Sequence, residues 1–217
     1  MKATRKTAIL VGALFIVTTF TYSIGDGILQ ELFKASNFPL RISEHTNLVV
    51  MAALLQLSCG VGVVAIAVLM YPIFKKSDEK IAIWYVGIRI VECAVIAVSV
   101  VRILALKEVG EYQIAELDIL KALGAAAIAN YQGSFIVLAL VLAFGALAFY
   151  YGLFKNSLLP KFIPIWGAVA VVLMVIGLIM EALGFPRLIV LYLPMGLNEL
   201  FLGFWLLFRG FRQKSPV

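Results

Sequence analysis

Two ionisable residues interrupt an apolar stretch of the chain. Arg89 and Glu92 lie three residues apart in the segment WYVGIRIVECAV, which covers residues 84–95. Residues at this spacing share one face of a helix, so the guanidinium and the carboxylate can form an ion pair. Charges within a membrane are costly unless they face protein or trapped water. The pattern therefore predicts a polar site inside a helix bundle, where Arg89 holds an anionic group or neutralises a carboxylate.

Three more polar residues are predicted at a similar depth. Glu199 and Asn198 lie in the segment LPMGLNEL, and Gln56 lies near the middle of another apolar run. At a rise of about 1.5 Å per residue, Arg89 and Glu92 lie roughly 12 and 16 Å from the cytoplasmic end of their helix. Glu199 and Asn198 lie roughly 13 and 15 Å above the same end. We expect all five side chains to line one ligand-binding pocket.

The charge balance of this predicted pocket indicates its chemistry. Arg89 can neutralise one carboxylate, and the other must then be protonated or lie beside water or a bound cation. Glu92 or Glu199 would thus carry a proton or a cation. Alternatively, the same charges form a buried structural cluster that fixes how the helices pack.

A second polar layer is predicted nearer the outer membrane boundary. It consists of Asp26, Arg102 and Glu181. Long charged side chains at that depth can reach water, so a structural role is favoured for this layer. Pro194, in the same helix as Glu199, is predicted to kink that helix and to open a gap beside the carboxylate.

The composition shows which elements must position these groups. The chain has 217 residues, of which 63% are hydrophobic and 14% are charged. A helix needs roughly 20 apolar residues to cross about 30 Å of hydrocarbon, and continuous apolar runs exclude the alternating strands of a membrane barrel. We predict an all-α, polytopic membrane protein with one domain, residues 1–217, that forms a bundle of six transmembrane helices. The predicted spans are approximately 7–25, 47–74, 81–106, 132–154, 162–184 and 188–208.

Two long segments join spans on the predicted outer side, at about 26–46 and 107–131. Apolar residues recur in both with helical spacing, which predicts short amphipathic helices that lie on the membrane surface or cover a cavity between the spans. These residues are Ile28, Leu29, Leu32 and Phe33 in the first segment, and Ile114, Leu117, Leu120 and Leu123 in the second.

The basic residues are unevenly distributed between the two sides. Eleven of the 18 Lys and Arg residues lie before span 1, after span 6, or in the connections between spans 2 and 3 and between spans 4 and 5. The positive-inside rule then places both termini in the cytoplasm. A basic rim beside anionic lipid explains the net charge of +6, and we expect no nucleic-acid partner.

No pattern typical of an active site or a metal site is found. The chain lacks HExxH, a phosphate-binding glycine loop and a Ser-His-Asp candidate. One histidine, His45, and two cysteines, Cys59 and Cys93, cannot build a conventional zinc site. We therefore expect no catalytic residue, no metal and no cofactor, although carboxylates alone can support a membrane enzyme.

Three segments together resemble a known family. They are YVGIRIVECAV in span 3, SLLPKFIPIWG at the start of span 5, and LPMGLNELFLGFWLLFRGF in span 6. The chain is similar, from span 1 to Phe211, to a bacterial family of six-span membrane proteins catalogued as domain of unknown function 4386. The resemblance implies a multi-pass protein of the bacterial cytoplasmic membrane with Arg89, Glu92 and Glu199 at motif positions. It implies no activity, substrate or cofactor.

The leading hypothesis is an integral membrane protein that binds or transports a small molecule or ion through a polar intramembrane site. A non-transporting sensor or assembly partner with structural charges is the alternative, and a lipid-modifying membrane enzyme is a further one. The expected partners are membrane lipids and a small-molecule or ion ligand. No pattern indicates an oligomeric state.

Overall fold

Helices make up all the regular structure that is described. A computed structural model describes residues 5–34, 41, 42, 44–111 and 117–212 of the chain. Within these ranges the fold is all-α, as predicted, and contains no strand. The six long helices are α1 (Arg5–Phe33), α2 (Thr46–Phe74), α3 (Glu79–Glu111), α4 (Leu117–Lys155), α5 (Phe162–Ala182) and α6 (Ile189–Phe208).

Five of these helices are long and apolar enough to cross a membrane. They are α1, α2, α5 and α6 over their full lengths, and α4 from Ala122 onwards. The third helix, which carries Arg89, Glu92 and Arg102, is not among the five. The prediction of a helical membrane protein is therefore confirmed. The described part of the chain contains five candidate spans, and the count of six stays a prediction.

Two of the helix ends have identifiable causes. Asp78 precedes α3, and its carboxylate accepts a hydrogen bond of 3.2 Å from the backbone N–H of Ile81. This contact caps the first turn of the helix. Gly184 follows α5 with φ +90°, and its N–H donates to the carbonyl oxygen of Glu181 at 3.0 Å. Glycine adopts this left-handed conformation without the penalty that a Cβ atom would add.

The first long connection differs from the predicted surface helix. The apolar residues of its N-terminal part belong to the last turns of α1, which continues to Phe33. Leu29 and Leu32 are buried against residues of α2 that include Val49 and Ala52. The charge of Asp26 ends the apolar run but not the helix, because Leu29 and Leu32 beyond it still pack against α2. The second predicted stripe falls partly outside the described residues, and Leu117–Leu123 forms the beginning of α4.

The helices form a closed ring. Each one packs against its neighbours in sequence, and α1 also packs against α6. Gly12 and Gly203 allow this last contact, because a Cβ atom on Gly12 would lie 2.6 Å from the carbonyl oxygen of Gly203. The guanidinium of Arg5 donates hydrogen bonds to the final carbonyls of α6, at 2.6 Å for Leu207 and 3.0 Å for Phe208. The start of α1 and the end of α6 therefore lie together, at what we call the basal end; the opposite end is the distal end.

Two apolar cores fill the ring at different heights. The basal core draws residues from all six helices, and its centre is aromatic. The distal core draws its buried residues from α1 to α4 and from Ile42. The polar groups of interest lie between the two cores.

Candidate functional site

Arg89 and Glu92 form a buried ion pair. Both lie on the inward face of α3, and Nη1 of Arg89 donates a 2.6 Å hydrogen bond to Oε2 of Glu92. Only 4% and 2% of the two side chains are exposed. The guanidinium also lies 5.3 Å from the centroid of the Tyr85 ring, a distance typical of a cation–π contact. The pair thus faces protein and not lipid.

Glu199 lies in α6 and has a weaker partner. Its Oε2 accepts a 3.0 Å hydrogen bond from the hydroxyl group of Thr19 on α1. In the described part of the chain it makes no salt bridge, whereas Glu92 is bonded to Arg89. The site therefore contains two carboxylates and one guanidinium, and the guanidinium is bonded to Glu92.

A central cavity of about 250 Å³ connects these groups. All six helices contribute to its wall, and Arg89, Glu92 and Glu199 are its charged lining residues. Most of the remaining wall is apolar. Small side chains line it as well, among them Thr18, Ser23, Cys59, Ala139 and Gly196. The cavity is a largely apolar chamber with a charged side.

Five aromatic rings pack together on the basal side of the cavity, and one of them, Phe15, lines its wall. We call Phe15, Phe74, Tyr85, Phe149 and Tyr150 the aromatic plug; each is at most 4% exposed. Phe149 is its centre, with ring centroids 5.2 Å from Phe15, 5.4 Å from Tyr85, 5.7 Å from Tyr150 and 6.0 Å from Phe74. Such contacts are the favourable offset and edge geometries of aromatic pairs. The plug separates the cavity from the basal end.

A second cluster of contacts lies where α5 and α6 meet. Arg187, in the turn between them, donates hydrogen bonds of 2.7 and 3.0 Å to the two carboxylate oxygens of Glu181. Tyr192 donates its hydroxyl group to Glu181 at 3.0 Å, and the Arg187 guanidinium lies 4.3 Å from the Phe135 ring centroid. The carboxylate of Glu181 raises the pKa of Arg187. Because Phe135 and Tyr192 also line the cavity, this cluster borders it on the distal side.

Asn198 does not line the cavity. Its Oδ1 accepts a 2.7 Å hydrogen bond from Tyr150, and its Nδ2 donates to the backbone oxygen of Ile163 at 3.2 Å. Adjacent residues on a helix point about 100° apart. Since Glu199 faces the cavity, Asn198 must face α4 and α5. Of these two residues, which were predicted to line one pocket, Glu199 lines the cavity and Asn198 is a buried amide bonded to α4 and α5.

Gln56 also lies outside the cavity wall. Its amide donates to the hydroxyl group of Tyr131 at 2.9 Å, and Tyr131 donates to Oδ1 of Asp26 at 2.7 Å. Since α1 extends to Phe33, Asp26 lies about 10 Å inside its distal end, and this depth allows the contact with Gln56 through Tyr131. The sequence-based depths placed these two residues in different layers, and this placement is corrected.

Arg102 forms a separate cluster in the same distal half. Its guanidinium donates to the hydroxyl group of Ser134 and, at 3.3 Å, to the backbone oxygen of Asn130. The predicted outer layer is therefore three local clusters, centred on Asp26, Arg102 and Glu181. Each contains its own hydrogen-bond partners on neighbouring segments.

Several residues of the site were not singled out from the sequence. They are Thr19, which contacts Glu199, and the aromatic residues Tyr22, Phe135 and Tyr192. The segment TTFTYS at residues 18–23 contained a signal, because it concentrates hydroxyl groups within an apolar run. No such signal marks Phe135 and Tyr192, since aromatic residues are common throughout membrane helices.

The described residues contain no group of three or more His, Cys, Asp or Glu side chains that could hold a metal ion. Comparison with curated proteins and with solved structures gives no match. The family described as Domain of unknown function (DUF4386) matches residues 10–210 of the chain. This match covers all six helices except the first turn of α1 and includes every charged residue of the cavity. The protein belongs to the DUF4386 family, as the three sequence segments predicted.

Proposed function

We propose that this protein is an integral membrane protein that binds or transports a small molecule or ion in its central cavity. The observation that carries the proposal is the joint lining of one partly open cavity by the Arg89–Glu92 pair and by Glu199. Pockets with an apolar wall and a few polar groups on one side are typical of small-molecule sites.

The polar groups around the cavity favour a binding role over a purely structural one. A structural cluster satisfies its own hydrogen bonds, yet Nε of Arg89 and the hydroxyl group of Tyr85 are buried without a hydrogen-bond partner in the described part of the protein. The two side chains are neighbours, and Arg89 is the one that lines the cavity. An ion pair that only fixed helix packing would need no cavity beside it.

The proposal includes the arrangement in the membrane. The third helix packs between α2 and α4, so we propose that it crosses with them and that the single domain has six spans. The basic residues of the basal end, which include Arg5, Lys75, Lys76 and Lys161, support a cytoplasmic location for both termini. The cytoplasmic membrane of a bacterium fits this distribution.

The experiment fills the cavity without changing a charge. Gly196 lines the cavity, and a Cβ atom added there meets no heavy atom within 4 Å. Gly87 has the same open surroundings but lies exposed on α3. Gly196→Phe therefore occupies the cavity, and Gly87→Phe is its matched control.

Native mass spectrometry of protein released from membranes in mild detergent measures the small molecules that remain bound. We expect an adduct on the wild type and on Gly87→Phe, and its loss from Gly196→Phe. The identified molecule is then used in a proteoliposome flux assay with Glu92→Gln and Glu199→Gln. Equal adducts on all three proteins would refute the proposal, and unchanged flux in both charge variants would remove the carboxylates from transport.

A further inference from the structure

The charges of the cavity wall do not cancel. Glu92 is bonded to Arg89 at 2.6 Å, so its charge is compensated. Glu199 receives one hydrogen bond from a neutral hydroxyl group. Among the lining residues that the structure describes there is no second Lys or Arg. With all three groups ionised, the cavity has one excess negative charge.

The Glu199 carboxylate is half-buried in a largely apolar wall, where a proton or a cation beside it is favoured. A further anion in the cavity would double the imbalance, and a neutral ligand would leave it unchanged. A proton on Glu199 removes it, and so does a bound cation. The cavity is therefore suited to exchanging one for the other at this carboxylate.

The wall indicates which kind of cation fits. A metal ion needs several oxygen ligands, whereas among the residues that the structure describes one hydroxyl group, that of Thr19, lies within hydrogen-bond distance of the Glu199 carboxylate. The rest of the wall is mostly apolar and contains the rings of Phe15, Tyr22, Phe135 and Tyr192. Aromatic faces attract organic cations, and the guanidinium of Arg187 already lies 4.3 Å from one of these rings.

The volume limits the size of the ligand. An apolar cavity of about 150 Å³ holds a benzene molecule, and the cavity here has about 250 Å³. It thus has room for one ring or a branched alkyl group together with a small cationic head.

We propose that the ligand of this cavity is a hydrophobic ammonium ion with a single ring or a branched alkyl group, and that Glu199 is its counter-ion. The inference rests on the proposed function and names the ligand class for that site. On binding, the carboxylic acid of Glu199 loses its proton to solvent and the carboxylate pairs with the ammonium ion, so one proton leaves for each cation that enters.

Other titratable groups face Glu199 and are constant in this exchange. They are Arg89 and Glu92 on α3, Cys59 on α2, Tyr22 on α1, Tyr150 on α4 and Tyr192 on α6. The lining residue of α5 is Met174, which does not titrate. Arg89 and Glu92 are held by each other, and thiol and phenol groups are neutral near pH 7. Affinity for the cation should therefore rise with pH through the titration of Glu199 alone.

The probe is radiolabelled benzyltrimethylammonium, and binding is measured on the purified protein in detergent at two pH values. Neopentylbenzene, in which carbon replaces the ammonium nitrogen, and benzylsulfonate, an anion of similar shape, serve as competitors. We expect saturable binding that is tighter at the higher pH, with neither competitor displacing the probe at equal concentration.

Three variants locate the effect. Glu199→Gln should weaken binding at least tenfold and abolish its pH dependence, whereas Glu199→Asp should keep binding within a few-fold of wild type. Asp78→Asn removes a carboxylate at the basal end, outside the cavity, and should leave binding unchanged.

The outcomes separate this inference from the function on which it rests. Displacement by neopentylbenzene as effective as by the unlabelled cation, preference for benzylsulfonate, or full binding in Glu199→Gln would overturn the cation inference and leave the binding cavity in place. The same holds if the probe does not bind while the co-purified adduct depends on Gly196. Absence of both the probe and any cavity-dependent adduct would overturn both proposals.

Discussion

Removal of either member of the Arg89–Glu92 pair should be much more destabilising than removal of both. The two side chains are 4% and 2% exposed and joined by a 2.6 Å contact. Loss of one partner leaves an uncompensated charge in a site that solvent scarcely reaches. Breaking a buried ion pair in this way costs about 3–5 kcal/mol, whereas replacing both partners by apolar residues is often close to neutral.

We therefore expect Arg89→Leu to lower the free energy of unfolding by about 3–5 kcal/mol. Glu92→Leu should cost less, because Glu199 lines the same cavity and can partly compensate the guanidinium. The free energy of unfolding of the double variant should lie within about 2 kcal/mol of the wild-type value. This range includes the cost of the smaller volume of leucine. Because each single variant should cost more than the double variant, the resulting coupling energy is at least about 3 kcal/mol, at the upper end of measured pair couplings.

The assay is unfolding in mixed micelles, followed by tryptophan fluorescence, with the four proteins measured as a double-mutant cycle. Glu199→Gln is the control, since it removes a carboxylate from the same cavity without breaking an ion pair. It should leave the free energy of unfolding unchanged within about 1 kcal/mol. If the effects of Arg89→Leu and Glu92→Leu add within about 0.5 kcal/mol, the pair does not act as a unit and the electrostatic reasoning is wrong.

Two further predictions concern the basal half. Gly167→Ala places a Cβ atom 2.2 Å from the ring of Tyr150, which is held by Asn198. This variant should lower the free energy of unfolding by about 1–3 kcal/mol in the same assay. The control is Gly133→Ala, whose added Cβ meets no heavy atom within 4 Å and which should not destabilise the protein. The hydrogen bond from Lys155 to Asp78 lowers the pKa of this carboxyl from its ordinary value of 3.8. Its contribution to stability is therefore present above that value and is lost as the pH falls through the lowered pKa. The difference in unfolding temperature between wild type and Asp78→Asn should shrink as the pH is lowered below 3.8, and a constant difference would contradict this assignment.

Residue spacing within one helix was sufficient for some of these contacts. Arg89 and Glu92 are three residues apart, and the helix itself brings them onto one face. The apolar runs were sufficient for the all-α fold, since only helices satisfy the backbone within such runs. Both inferences depend on local geometry, and local geometry is what a single sequence contains.

Inferences that compared different helices were less accurate. The depths of Gln56 and Asp26 were calculated from the ends of apolar runs, but α1 continues to Phe33. The error in that end moved Asp26 into a different layer from its true partner. Asn198 shows a second source of error, because equal depth with Glu199 does not mean a common direction. Depth along a helix and orientation around it must both agree before two residues can share a site.

The location of the cavity follows from the ring arrangement. A helix with its side chains is about 10 Å wide, so six helices that pack mainly against their ring neighbours enclose a central space about as wide as another helix. Large side chains must fill that space at every height of the bundle where there is no cavity. In the basal half the aromatic plug does so, with four rings packed around that of Phe149.

Around Glu199 the cavity wall includes, beside larger residues, the small residues Thr18, Ser23, Ala139 and Gly196. These side chains cannot reach the axis of the ring, so the space between the two cores is left open. A charged pair could have been buried in this protein against large apolar side chains, with no cavity at all. The combination of small inward residues with an uncompensated carboxylate is better explained by a ligand that supplies both the missing volume and the missing positive charge.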